Sequence, residues 1–173
     1  MEYSLHQLHT VADVAVVSAA NESAIASEWA RYGLATHADV IFGQEVGSKA
    51  NSIASMLACG YESRKVVMVG DAMGDAQAAA ANGVSFVPIL PGREAESWRR
   101  LQEEALPKLL HGTFSPEYQA TLLAQLRSVL HGSLTGKSLN KNQSRVCKKR
   151  ILCFLHAVNR FWQPAYSKTS PAL

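Results

Sequence analysis

The stretch Lys65-Val66-Val67-Met68-Val69-Gly70-Asp71-Ala72-Met73-Gly74-Asp75, continued by Ala76-Gln77-Ala78-Ala79-Ala80-Ala81-Asn82-Gly83, decides the fold. A β-branched apolar run ends in a glycine, two carboxylates follow in a tight turn, and an alanine-rich helix comes next, closed by Asn-Gly. That order belongs to a parallel α/β sheet, whose ligands sit beyond the carboxyl ends of the strands. Asp71 and Asp75 both fall there.

Similar units lie on either side. Upstream, Ala12 to Val17 reads as a strand ending in Ser18-Ala19-Ala20-Asn21, and Asn21 caps a helix with Ile25, Trp29 and Tyr32 on related faces and a stop at Gly33. A short strand over Asp39 to Phe42 leads through Gly47-Ser48-Lys49 into a helix carrying Ile53, Met56 and Leu57, which runs to Cys59-Gly60. Downstream, Val84 to Leu90 is the last strand of the series. Strands alternating with helices at short intervals predict right-handed βαβ units and a Rossmann-like parallel sheet flanked by helices. After Pro91-Gly92 the period becomes helical. One helix spans Glu94 to Leu110, with Trp98, Leu101, Leu106, Leu109 and Leu110 as buried candidates and Pro107 bending or dividing it. A second starts at Ser115-Pro116 with Leu122, Leu123, Leu126, Val129 and Leu130 as its stripe.

The chain has 173 residues and a net charge of +3, which conceals a division. Residues 1–132 hold 9 Lys/Arg against 14 Asp/Glu, a balance of −5, whereas residues 133–173 hold 8 Lys/Arg and no acid. The expected organisation is a core over residues 1–131 and a basic, disordered or unrelated tail over residues 132–173. No apolar stretch approaches the ~20 residues of a membrane span, the start lacks a secretory signal, and three scattered cysteines form neither a disulfide framework nor a zinc pattern. A cytoplasmic setting is expected.

Ser18, Lys49, Asp71 and Asp75 lie at or near the predicted carboxyl ends of successive strands. A hydroxyl, an ammonium and paired carboxylates suit a phosphoryl group bridged to Mg2+. The set resembles the haloacid dehalogenase superfamily of phosphohydrolases, in which a Ser or Thr ends one strand, a Lys opens a later helix, and a Gly-Asp-x-x-x-Asp turn follows a hydrophobic strand. Val16-Val17-Ser18, Gly47-Ser48-Lys49 and Gly70-Asp71 with Asp75 match in that order, and Asn82-Gly83-Val84 through Pro91-Gly92-Arg93 to Trp98 is similar to one branch of these phosphatases. The likeness covers about Ala12 to Leu130. It implies an incomplete core of that family's type and Mg2+-dependent hydrolysis of a small phosphorylated substrate through an aspartyl-phosphate. Ser18 would bind the phosphoryl oxygen and Lys49 would neutralise its charge. Asp71 would hold Mg2+, while Asp75 would orient the metal shell or the lysine.

The family's reaction begins with an Asp-x-Asp at the end of an earlier strand, and no Asp-x-Asp occurs in this chain. Asp13 sits at the start of its strand, about four residues or ~13 Å from the carboxyl end. Only 11 residues precede Ala12, fewer than the ~30 of a βαβ unit, so the chain is expected to be a carboxyl-terminal part, inactive, with two apolar sheet edges exposed and marginal solubility or pairing in consequence. A phosphate-receiver domain is an alternative on the same architecture, with Asp71 as its acceptor candidate.

Blander roles stand beside these. Asp71 could cap a helix, Lys49 could be a surface lysine, and Ser18 could be a turn residue. Asn21 is expected to cap rather than to touch substrate, Trp29 and Trp98 to pack, and Cys59 to be a small buried apolar residue. In the tail, Arg145 to Trp162 is a basic amphipathic pattern that suits an anionic membrane. Its Arg145, Lys148, Lys149 and Arg150 equally suit nucleic acid phosphates, and a segment with no selected function is the favoured expectation, leaving a non-catalytic interaction module as the alternative function.

Overall fold

A computed structural model describes residues 2–134 and 151–155. The elements are α1 (Glu2–His9), β1 (Ala12–Val17), α2 (Glu22–Arg31), β2 (Val40–Phe42), α3 (Lys49–Ala58), β3 (Val66–Gly70), α4 (Met73–Ala81), β4 (Ser85–Pro88), α5 (Glu94–Arg100), α6 (Leu106–Leu110), α7 (Pro116–Leu134) and β5 (Ile151–Leu155). The local signals act as their chemistry requires. Asn21 accepts from the Ala24 amide at 2.8 Å and Ser48 from the Asn51 amide at 3.1 Å, each satisfying an orphan donor of a first helical turn. Pro116 opens α7, with Ser115 accepting from the Tyr118 amide at 3.2 Å. Gly83 closes the α4 unit at φ 64°, a conformation that a side chain would strain.

The sheet has the order β2-β1-β5-β3-β4. β1 and β2 pair in parallel, as do β3 and β4. Alternation along the strands builds two cores. Val14, Val16, Val67 and Val69 pack with Leu5, Leu8, Trp29, Trp98 and Leu101 on one face. Ala15, Val17, Val66 and Met68 pack with Ile53, Met56, Ala79 and Phe86 on the other. The result is an α/β domain with its sheet between two helical layers. Gln119 of α7 accepts from the Phe86 amide at 2.8 Å, so the helix covers a backbone donor of β4, the last strand of the sheet.

Several expectations need correction. The sheet is not wholly parallel, because β5 lies at its centre and runs antiparallel to both β1 and β3. Residues 151–155 belong to the sheet, and α7 continues to Leu134, past the expected boundary. The two apolar edges expected to be bare are the edges that β5 covers. The remaining tail residues, with the basic cluster Arg145 to Arg150 and the stretch from His156 to Trp162, lie outside the described residues. α1 was not expected at all, yet Leu5 and Leu8 are fully buried under the sheet.

Smaller differences have local causes. α2 ends at Arg31, so Tyr32 leaves the apolar face and is 57% exposed, while Trp29 is buried as expected. Cys59 is exposed rather than buried: it lies one residue past α3, its thiol turned back to the Ser55 carbonyl at 3.4 Å. Leu110 ends α6 and is 47% exposed. Pro107 does not break the chain into two helices: the backbone stays helical from Glu94 to Leu110. A π-helical turn over Leu101–Ala105 precedes it, which accommodates a residue that donates no backbone hydrogen bond.

Candidate functional site

β1 and β3 are both antiparallel to β5, hence parallel to each other, and their carboxyl ends lie on one edge of the sheet. Ile151 pairs with Val16 on one side and Val69 on the other. Ser18 and Asp71 each lie two residues further on, so they stand at one level across β5, about 10 Å apart for two strand spacings. Register alone fixes this relation.

The tightest feature of the edge joins two helices. Lys49, the first residue of α3, donates its Nζ to Oδ1 of Asp75 in the first turn of α4. Asp75 is fully buried and the Lys49 side chain is 20% exposed. The other carboxylate oxygen of Asp75 accepts the Ala72 amide at 3.1 Å, which satisfies the start of α4 and fixes the carboxylate against the strand end. A buried carboxylate needs such partners, because leaving its charge unpaired costs several kcal/mol. Gly70 makes room for it: a Cβ there would stand 2.5 Å from Oδ2 of Asp75. The glycine that ends β3 is thus required by the carboxylate five residues later.

Of the four expected site residues, the structure brings Lys49 and Asp75 into contact and sets Ser18 and Asp71 at the same edge. The contacts of Asp75 are those of the orienting role: one oxygen accepts from Lys49 and the other from the Ala72 amide. Asp71 is half-buried immediately after β3. It does not cap α4, since Ala72 occupies the cap position and the returning carboxylate is that of Asp75. Ser18 accepts the Ala20 amide at 3.2 Å through its Oγ, the turn role its residue type favours. Asp13 is far from this edge and accepts from the Tyr61 hydroxyl. Burial and that bond together hold the Tyr61 phenol well above its ordinary range.

Two supporting residues carried no sequence signal for this role. Asn82 Nδ2 donates to the Ala50 carbonyl at 3.1 Å and the Ala78 carbonyl at 3.0 Å, tying the first turn of α3, and with it Lys49, to the end of α4. Glu45 accepts from the Glu22 amide at 3.2 Å and supplies a carboxylate to the amino end of α2. Its approach depends on Gly43, where a Cβ would stand 2.2 Å from the Glu45 carboxylate. Among the described residues no three His, Cys, Asp or Glu side chains form a group that could hold a metal ion. A polar groove of about 330 Å³ lies elsewhere, between α5 and α7, and is lined by Arg99, Arg100, Glu104, Tyr118 and Gln125 among others.

Compared with protein-family models, with curated proteins and with solved structures, the chain matches none. Among the described residues no helix is long and apolar enough to cross a membrane.

Proposed function

We propose that this edge is a phosphate-binding site of the haloacid dehalogenase type that does not turn over a phosphate ester. The observation that supports it most is the Lys49–Asp75 pair, which links residues 26 apart in sequence and presents an oriented ammonium at the edge shared by Ser18 and Asp71. In phosphoryl chemistry the protein chiefly supplies position and opposite charge. Here Lys49 supplies charge, Asp75 positions it, and Ser18 offers a hydroxyl. The position between the Ser18 and Asp71 strands is held by Ile151-Leu152-Cys153-Phe154-Leu155, which contains no carboxylate. No described residue is therefore placed to attack phosphorus from the central strand.

By the family's pattern, Asp71 is the carboxylate through which Mg2+ would be held. One carboxylate with phosphate oxygens and water is a donor set that Mg2+ accepts, so the ion fits together with phosphate rather than alone. It would supply charge neutralisation. A small phosphorylated molecule in a reducing, cytoplasmic setting is the ligand class this reading implies.

Two measurements test it. An aryl phosphate incubated with the chain and Mg2+ should hydrolyse no faster than with Mg2+ alone, and turnover abolished by Asp71→Asn would overturn the claim of no turnover. Titration of inorganic phosphate, with and without Mg2+, should perturb amide resonances of residues 18–20, 49–50 and 71–73 together. No perturbation at millimolar phosphate would sink the phosphate-site reading.

A further inference from the structure

Glu45 belongs to the same edge of the sheet as Ser18, Lys49 and Asp71. The Ser18 amide donates to the Phe42 carbonyl at 3.0 Å and the Gln44 amide to the Ala20 carbonyl at 2.9 Å, so the loop after β2 runs alongside the loop after β1. Glu45 follows at once, and its two carboxylate oxygens accept the Glu22 amide at 3.3 and 3.2 Å. Glu22 is four residues from Ser18, at most about 14 Å of extended chain. The turn in which Ser18 accepts the Ala20 amide shortens that span. The backbone leaves room for this approach: a Cβ on Gly43 would stand 2.2 Å from Oε2 of Glu45 and 2.5 Å from the Glu22 nitrogen. In the other direction, Glu45 lies four residues before Lys49.

Over the whole edge the Lys49 ammonium is matched by the Asp75 carboxylate that it contacts. Asp71 and Glu45 then set one ammonium against three carboxylates, a formal balance of −2 that one Mg2+ would bring to zero. Such an edge has no surplus positive charge for a doubly charged ligand. Repulsion by Glu45 scales with the charge of whatever binds: at roughly 10 Å, in a medium between protein surface and water, one carboxylate weakens a monoanion about 3-fold and a dianion about 10-fold. We propose, resting on the phosphate-site reading above, that Glu45 is a charge filter for this site, so that the edge takes a singly charged phosphoryl group, as in a phosphodiester, in preference to the doubly charged group of a phosphate monoester.

The test compares methyl phosphate, a dianion at pH 8, with dimethyl phosphate, a monoanion. Each is titrated into the full chain with Mg2+ at about 20 mM salt, and affinity is read from the amide resonances of residues 18–20 and 49–50. The parent should bind dimethyl phosphate more tightly than methyl phosphate. Glu45→Gln keeps an oxygen for the Glu22 amide while removing the charge, and should tighten methyl phosphate about 10-fold but dimethyl phosphate only about 3-fold, with both gains shrinking at ~0.5 M salt. Glu45→Asp should keep the parent's order of preference, and Glu28→Gln, at the far end of α2, should leave both affinities unchanged. A parent that prefers methyl phosphate overturns the proposal, as does a Glu45→Gln that shifts both ligands equally or neither. In those cases the phosphate site itself stands, because both ligands still bind. If neither ligand moves these resonances in any of the chains, the phosphate-site reading falls and the filter with it.

Discussion

Replacing Cys153 by proline attacks the sheet at its centre. Cys153 is the middle residue of β5 and is paired on both sides, with Val14 and with Val67. Proline removes a ladder donor and forces φ to about −65°, where an antiparallel strand needs about −140°. The donor's partner is a carbonyl of a strand buried on both faces, and leaving it unsatisfied costs ~1–3 kcal/mol. With the backbone conflict the total is on the order of 3 kcal/mol, a large part of the ~5–15 kcal/mol that holds a domain together. In a chain of this size ~3 kcal/mol lowers Tm by roughly 6–12 °C, at ~2–4 °C per kcal/mol. Trp29 and Trp98 are 1% and 7% exposed and belong to the core that contains Val14 and Val67, so their fluorescence reports the loss of that layer during thermal or urea unfolding. Cys153→Val, which keeps the donor and favours a strand, is the control and should melt near the parent. If Cys153→Pro melts within ~2 °C of Cys153→Val, residues 151–155 do not form the central strand and the account of the sheet fails.

Three further outcomes follow from the site and its surroundings. Lys49→Met strands the buried Asp75 carboxylate and should cost ~3–5 kcal/mol in urea unfolding, with most of the loss recovered when Asp75→Asn is added; a single-variant cost below ~1 kcal/mol would mean that the pair is a surface contact. Gly70→Ala forces a Cβ to within 2.5 Å of the Asp75 carboxylate and should destabilise by ~1–3 kcal/mol while disturbing the Lys49 amide resonance; a spectrum unchanged at residue 49 would refute the link between them. Burial, then the nearby Glu104 charge, push the Tyr118 phenol up to about 12, and the Tyr61 phenol is raised further by burial and Asp13. Between pH 10 and 12 the unfolded chain has released protons that the folded chain still holds, so stability present below pH 10 declines through that window. Tyr61→Phe combined with Tyr118→Phe should flatten the decline in Tm, and equal slopes would contradict this assignment.

Much of the fold was legible because its signals are local. The β-branched runs at Val14 to Val17 and Val66 to Val69, the caps at Asn21 and Ser48, and the helix start at Pro116 act within a turn or two of the chain, and the structure follows them. The candidate site was legible in its members and their order. It was not legible in its wiring. That the Asp75 carboxylate is buried between Lys49 of α3 and the start of α4 could be read only from the folded chain. Misplaced residues cluster at element ends: Tyr32 and Cys59 lie one residue past their helices, and Leu110 is the last residue of its own.

The sequence by itself determined the parallel strand–helix units, the edge to which Ser18, Lys49, Asp71 and Asp75 belong, and the absence of an Asp-x-Asp. Tertiary structure decided what stands between the two halves of the sheet. Ile151 to Leu155 is a short apolar run without alternation, and such a run reads equally as strand or helix until a partner is known. Its placement depends on pairing with β1 and β3, more than 80 residues away in sequence. Slots of that kind are filled by whichever segment buries two apolar faces and satisfies two ladders at once, a condition written in distant residues rather than in neighbouring ones.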